Sequence, residues 1–557
     1  MTLTKTEQAL PSDTPRPVSE AGSSREPDSA SVNILLAPIR PEASHARTSP
    51  RPKDLGRQAS NNRLAEEAGS ASTLDHQGVP PELGSLTKEV IFVLVCSSGQ
   101  LLFAFFYGDV VVNQQTLKVA LGLQNTQLPW LVGSFLVANG LSVVVAGSLA
   151  DLLAPKRIVL GALVWQALWN LVGAFSVTPS RVVLFFIVRA MQGLSVGVLV
   201  SGSMSILGRV YAPGLRKTRV FSAMAAGAPV GFWIGLLQGG ALSAHLPWIF
   251  GTNAMMSVLL CLASLYTIPP MQPVADTPGA DVPGLRRFDF KGAVCAMAGC
   301  VCLLFGLTQG PAVNWAPYTY SLIIVGILLL VLFPYIESKV PRPIIPTRLW
   351  KTPGFAPLMA AYFLGFGGFI GPWQFYAIQF FLRFQNKPAI IVALYMLPNA
   401  IVGVAATFLV SRLLHLIPGH YIYISAMLAF ACGPALFLPQ TPSTPYWALS
   451  MPGVALATFG PDLSFAAASI FITSNVARSY QGSAGSLLAT IQNLSAAIMT
   501  SVGDAIGAKV DLGADGEIGL KGIKAAWWFA LAAALSGAVI TAVSVRIPKE
   551  EEKEHVT

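Results

Sequence analysis

From Leu86 to Val545, apolar stretches follow one another with only short polar breaks. Fourteen of them come near the ~20 residues that carry a helix across a bilayer. They fall at 89–111, 128–150, 158–175, 182–207, 220–242, 247–268 and 292–310, then at 320–335, 355–381, 390–414, 421–438, 447–473, 483–506 and 525–545. In lipid every backbone N–H and C=O needs a partner within the segment, so runs of this length read as helices. A soluble core does not need so much apolar sequence, and only 11% of the residues are charged. The expectation is an all-α integral membrane protein with about 14 transmembrane helices, the 355–381 segment being a place where a helix would break.

The charged residues between the spans orient the chain. Loops on the side of the termini carry fifteen Lys and Arg residues, among them Lys156, Arg157, Arg216, Lys217, Arg286 and Arg287. The opposite loops carry seven: Lys118, Arg181, Arg383, Lys387, Lys509, Lys521 and Lys524. That asymmetry places both termini in the cytoplasm. The formal charge of +9 is then a consequence of topology, and no nucleic-acid partner is implied. Residues 1–85 are rich in Ser, Pro and charged side chains and read as a disordered cytoplasmic tail, as does the short stretch 549–557. The spans divide into a six-helix unit over 86–268, a connector with two extra helices over 269–354, and a second six-helix unit over 355–548. All six cysteines fall inside spans, where thiols act as small hydrophobes, and their spacing suits neither a disulfide frame nor a metal.

Three stretches join unusual residues at fixed places. Gly147 and Asp151 precede the basic pair Lys156-Arg157 in the loop after the second span. There the glycine lets two helices approach, and the aspartate can cap the next helix or pair with a base. Arg189, Gln192 and Gly193 lie within the fourth span. An arginine at that depth needs a partner or a wet cavity, or else must reach the outer interface. Gly227, Pro229, Gly231 and Gly235 lie in the fifth span, where a proline among small residues kinks a helix and permits close packing.

These three resemble motifs A, B and C of the major facilitator superfamily, in order and on the matching spans. Departures are Leu152 and Ala154 in the first and Ala228 before the proline in the third. With fourteen spans the chain resembles the fourteen-helix drug:proton antiporters, and within them the fungal aminotriazole-resistance-like transporters. Segments 127–133, 211–217, 459–465 and 474–482 carry that likeness. The resemblance implies a major facilitator fold, two six-helix bundles around a central cavity plus two extra helices. It also implies proton coupling, for which Asp109, Arg189 and Asp462 are the candidate residues, and, from the motif C remnant, efflux of drug-like molecules or secondary metabolites.

Acidic and polar residues inside the spans are the remaining candidates. Asp109 lies at the outer end of the first span, either paired with Arg189 or solvated at the interface. Asp462 falls near the middle of the twelfth span, where a carboxylate is costly and is neutral, caps a broken helix or binds a cation. Asp504, nearer the outer end of the thirteenth, is more easily solvated. Asn139, Asn170, Trp233, Asn399, Asp462 and Asn493 are the expected cavity residues, against the alternative of helix–helix hydrogen bonds or lipid packing. The scattered histidines give no catalytic cluster, and no P-loop is present. No enzyme activity, cofactor or metal is expected, and the partners are a small-molecule substrate, protons and the bilayer. A monomer in the plasma membrane is the expected form, with vacuolar or vesicular membranes as alternatives and nutrient uptake as the competing function.

Overall fold

A computed structural model describes residues 79–124, 127–211, 215–271, 289–340, 343–345, 347–476, 481–513 and 516–548. Residues 1–78, the part of the connector over 272–288 with Arg286-Arg287, Arg342, Arg478 and the segment 549–557 lie outside the described residues.

Fourteen long helical segments are present, numbered here α1 to α14. They are α1 (Leu86–Val111), α2 (Pro129–Leu152), α3 (Pro155–Ala174), α4 (Val182–Val210), α5 (Leu215–Ala241), α6 (Leu246–Thr267) and α7 (Phe290–Gln309). Then follow α8 (Pro317–Glu337), α9 (Phe355–Phe384), α10 (Ala389–Leu414), α11 (Gly419–Phe437), α12 (Tyr446–Asn475), α13 (Gln481–Val510) and α14 (Leu520–Ser544). Thirteen are long and apolar enough to cross a membrane. The exception is α13, 30 residues long, whose Gln492, Asn493 and Asp504 make it too polar to stand in lipid alone. It is sheltered instead by α2, α9 and α14.

Local chemistry sets the helix ends. The Ser85 hydroxyl accepts from the Lys88 N–H at 3.3 Å, capping α1, and an Asp289 oxygen accepts from the Gly292 N–H at 2.9 Å, capping α7. Proline opens α3 and α8, where its missing N–H costs nothing. The 355–381 segment does not break. It continues to Phe384 through two π-helical stretches, Phe369–Phe375 and Phe380–Phe384, the first around Pro372. In α12 the helix is interrupted at Thr458 and restarts at Phe459, which puts Asp462 in a first turn.

Packing joins α1 to α5, α2 to α4 and α3 to α6 on one side, and α9 and α11 to α14 on the other. The two groups meet where α2 lies on α13 and α5 on α10. The additional pair α7–α8 attaches through α7, with the Thr308 and Ser501 hydroxyls 2.7 Å apart and the Trp130 and Phe305 rings 5.4 Å apart. Its partner α8 is only about one-tenth buried along its spanning stretch, as expected of a helix with lipid on most sides. Large apolar side chains such as Leu171, Leu259 and Val331 stand outward and serve the bilayer.

Candidate functional site

Between the two helix groups lies a cavity of about 430 Å³. Gln100 and Phe103 of α1, Asn139 and Gly147 of α2, Ser205 of α4, Ser469 of α12 and Gln481, Gln492 and Asn493 of α13 line it. The lining runs from mid-helix to the ends of α2 and α13 on the side of Lys156, called the basic face below. Two polar atoms on its wall, Asn139 Nδ2 and Asn493 Oδ1, are buried without a hydrogen-bond partner among the described residues. A smaller pocket of about 100 Å³ adjoins it, sharing Phe103 and Gln492. Its wall adds Tyr107, Phe232, Phe366, Phe369, Asn399, Thr458 and Asp462. The amide of Asn399 donates to the Thr458 hydroxyl at 3.1 Å, and Tyr362 donates to Gln492 Oε1 at 3.0 Å. Asp462 is partly accessible to this pocket, and no described residue hydrogen-bonds to it. Asn139 and Asn493 line the larger cavity, and Asn399 and Asp462 the smaller pocket.

Beside the cavity, in the first helix group, is a buried polar network. Arg189 is 0% exposed, which removes the alternative of a side chain reaching the interface. Its guanidinium donates to the Leu131 carbonyl at 3.1 Å, the Phe106 carbonyl at 2.8 Å and Gln192 Oε1 at 2.7 Å, and lies 4.7 Å from the Phe135 ring centre. Gln192 passes the chain on, donating to Asn170 Oδ1 at 2.7 Å. Asp109 is neither paired with Arg189 nor solvated: it is 0% exposed, and one oxygen accepts from Asn253 at 2.7 Å. The other oxygen has no hydrogen-bond partner among the described residues. Arg189 binds the carbonyl one helical turn before Asp109 instead, so the two charges sense each other without touching.

The glycines of α5 form a ribbon against α1. Positions 227, 231 and 235 lie four residues apart and therefore on one face, and Gly239 continues the row. A Cβ on Gly231 would come within 3.0 Å of the Leu101 backbone, and one on Gly235 within 2.9 Å of Phe105. Pro229 faces the other way, and its ring lies where a Cβ on Gly403 of α10 would stand, at 2.5 to 2.8 Å. In motif B, Gly193 has the same use: a Cβ there would meet the Asn139 N at 3.0 Å.

Opposite the basic face the two groups are tied together. Gln379 donates to Gln114 Oε1 at 2.9 Å, and the Tyr107 hydroxyl donates to the Ile370 carbonyl at 3.3 Å. Glu517, in the turn before α14, takes an ion pair from Lys118 and another from Arg383 at 2.6 Å. The structure thus shows a state closed on this face, with the cavity reaching the basic one. Among the described residues no group of three or more His, Cys, Asp or Glu side chains could hold a metal ion.

Several sequence expectations are corrected. Asp151 is not the cap of α3: α2 extends through Leu152 and Ala154 precedes Pro155, leaving Asp151 in the last turn of α2. The Asp151 side chain lies outside the described residues. Its neighbour Lys156 caps a helix end instead, donating to the Leu265 and Ile268 carbonyls at the end of α6 at 3.1 and 2.6 Å. Arg157 is exposed. Asn170 faces Gln192, away from the cavity. Trp233 is not on the cavity wall either, because its neighbour Phe232 holds that direction and successive helical residues diverge by ~100°. Asp504 is buried rather than solvated, accepting from the Tyr376 hydroxyl at 2.9 Å. Asn253, Tyr107, Phe366, Phe369 and Glu517 went unnoticed, since an asparagine or phenylalanine in a span carries no signal of which neighbour it faces.

Residues 95–500 match the family described as Major Facilitator Superfamily. The chain belongs to the major facilitator superfamily. It is therefore a secondary transporter and not an enzyme. The low affinity ammonium transporter of Saccharomyces cerevisiae is 31% identical over 84% of this chain and 90% of that protein. The efflux pump terJ of Aspergillus terreus is 30% identical over 82% of this chain and 88% of its own length. The aminotriazole resistance protein of Saccharomyces cerevisiae is 27% identical over 82% and 83%. The facilitator fold is seen in a crystal structure of a POT family transporter in complex with a thioalcohol-conjugated peptide, with a TM-score of 0.60. That likeness has 13% identity and covers 82% of this chain and 95% of that one.

Proposed function

We propose that this facilitator exports small drug-like molecules or secondary metabolites from the cytoplasm in exchange for protons. The reading rests on Asp462, a carboxylate near the middle of its span, with no hydrogen-bond partner among the described residues, on the wall of the cavity system. A lone carboxylate at that depth is stable only when protonated or balanced by a cation, so proton and substrate compete for one place. Asp109 and Arg189 form a second buried charge couple, and a proton on Asp109 would remove the countercharge nearest Arg189 among the described residues. Either event changes the relative energy of the two access states, and a ligand shifts that equilibrium only by its difference in affinity for them.

With the basic face in the cytoplasm, the state described here loads from inside. The glycine ribbon between α1 and α5 and the Pro229–Gly403 contact then form the surface over which the groups rock. The relative named as an efflux pump, terJ, supports export. Uptake is the second reading, favoured by the relative named as an ammonium transporter, at 31% identity. The protein would act as a monomer, in the plasma membrane.

Retention of a panel of fluorescent or labelled compounds in transporter-deficient cells separates the two. Export predicts lower retention in cells carrying the protein, restored by a protonophore. Protonophore-sensitive accumulation would replace export by uptake.

A further inference from the structure

The small pocket beside the main cavity has a composition that selects a ligand. Five of its fifteen lining residues are aromatic: Phe103, Tyr107, Phe232, Phe366 and Phe369. Asp462 is the one ionisable carboxylate among the lining residues, and none of them is Lys, Arg or His. Among the described residues the other carboxylates in the spans have partners: Asp109 in Asn253, Asp504 in Tyr376, Glu89 in Arg216 and Tyr211, and Glu337 in the Ile344 and Ile345 N–H groups. Asp462 stands apart, with no hydrogen-bond partner among the described residues.

We infer that this pocket is a head-group subsite for a monovalent organic cation, a protonated amine whose remaining body lies in the larger cavity. Aromatic faces attract a cation through their quadrupoles, more strongly where water is excluded, and the carboxylate accepts its N–H donors. A hard metal ion would ask for about six oxygen ligands, which rings cannot supply. One carboxylate balances one charge. The volume of about 100 Å³ suits an ammonium with the carbons next to it, and the shared Phe103 and Gln492 connect that head to a chamber of about 430 Å³. The exposed edge of that chamber is polar, with Ser205, Ser469 and Gln481, so the body of the substrate need not be wholly apolar.

This inference rests on the cavity reading above and names its substrate class. The test compares 2-phenylethylammonium with 2-phenylethanol, nearly equal in shape and different in charge. Dissociation constants are read from ligand-induced stabilisation of the purified full-length protein. The ammonium should bind at least about tenfold more tightly, by the charge-assisted contact. Asp462→Asn should bring the two to within about twofold, Asp462→Glu should keep the preference, and Phe369→Leu should lower it by a few-fold. Should Asp462→Asn fail to fold, Asp462→Glu and Phe369→Leu still decide. Equal affinity for the two compounds in the wild type, or a preference unchanged by Asp462→Asn or by Phe369→Leu, overturns the assignment. Proton coupling is judged apart, by protonophore-sensitive flux. Flux without a charge preference removes the cation subsite alone, and a charge preference without coupled flux upholds the subsite while removing the antiport reading.

Discussion

Arg189 makes three hydrogen bonds in three directions, two to main-chain carbonyls on α1 and α2 and one to Gln192. A planar guanidinium can do this, and a lysine ammonium on a flexible stem cannot reproduce it. Arg189→Lys should therefore lower proton-driven flux by more than ~10-fold although the charge is kept. Arg189→Ala should do the same and also leave buried carbonyls unmatched, at ~1–3 kcal/mol each. Transport in proteoliposomes beside a melting curve checks both, and wild-type flux in Arg189→Lys would make the residue a structural clamp. At this scale the sequence was informative about which residues are costly and silent about what they touch. The expense of an arginine in a span was visible, but Asn253, the partner of Asp109, lies 144 residues away and looks ordinary. Phe232 and Trp233 are adjacent, and only the rotation of α5 decides which of them meets the cavity.

Among the elements, α5 shows how a row of small residues becomes an interface. Without side chains at 231 and 235, the α1 and α5 backbones approach until a Cβ would overlap α1, while a Cβ at 227 would make only ordinary contacts with it. Gly231→Val should force them apart at a cost of ~1–3 kcal/mol, read as a lower melting temperature and reduced flux. An unchanged melting temperature would mean that α1 and α5 do not rest on this ribbon. The four-residue spacing was legible beforehand because it needs no knowledge of the partner. The π-helical stretch Phe369–Phe375 was not, since it arises where Pro372 removes a donor and the neighbouring helices take up the slack. That irregularity brings Phe369, Ile370 and Gln374 to the pocket. Hydropathy marks α13 as a span, and its packing explains its polarity: sheltered by α2, α9 and α14, it carries Gln492 and Asn493 to the cavity.

Over the whole molecule, one face is closed by Glu517 with Lys118 and Arg383, and by Gln114 with Gln379. The Lys118 and Glu517 side chains are 20% and 25% exposed, and pairs of that kind are worth ~0–1 kcal/mol each. Glu517→Gln should accordingly shift the access equilibrium by a few-fold rather than lock it. A cysteine at Ile370→Cys, on the pocket wall behind this latch, should then label a few-fold faster with an impermeant reagent applied to that face. An unchanged rate would show that the ion pairs do not hold the closed state. The fourteen-segment plan and the family could be read from hydropathy and three motifs, because both are patterns along the chain. Which face stands closed depends on contacts between distant helices, which no linear pattern records.

The central claim is that proton entry drives substrate out. Its most direct test uses proteoliposomes loaded with a compound identified in the cell panel, with exit followed under an imposed pH gradient and protein-free vesicles as the zero. Exit should quicken when the outside is made more acidic, slow when the gradient is reversed, and lose that dependence in Asp462→Asn and Arg189→Ala. Exit indifferent to the gradient, or substrate moving inward together with protons, would contradict the account.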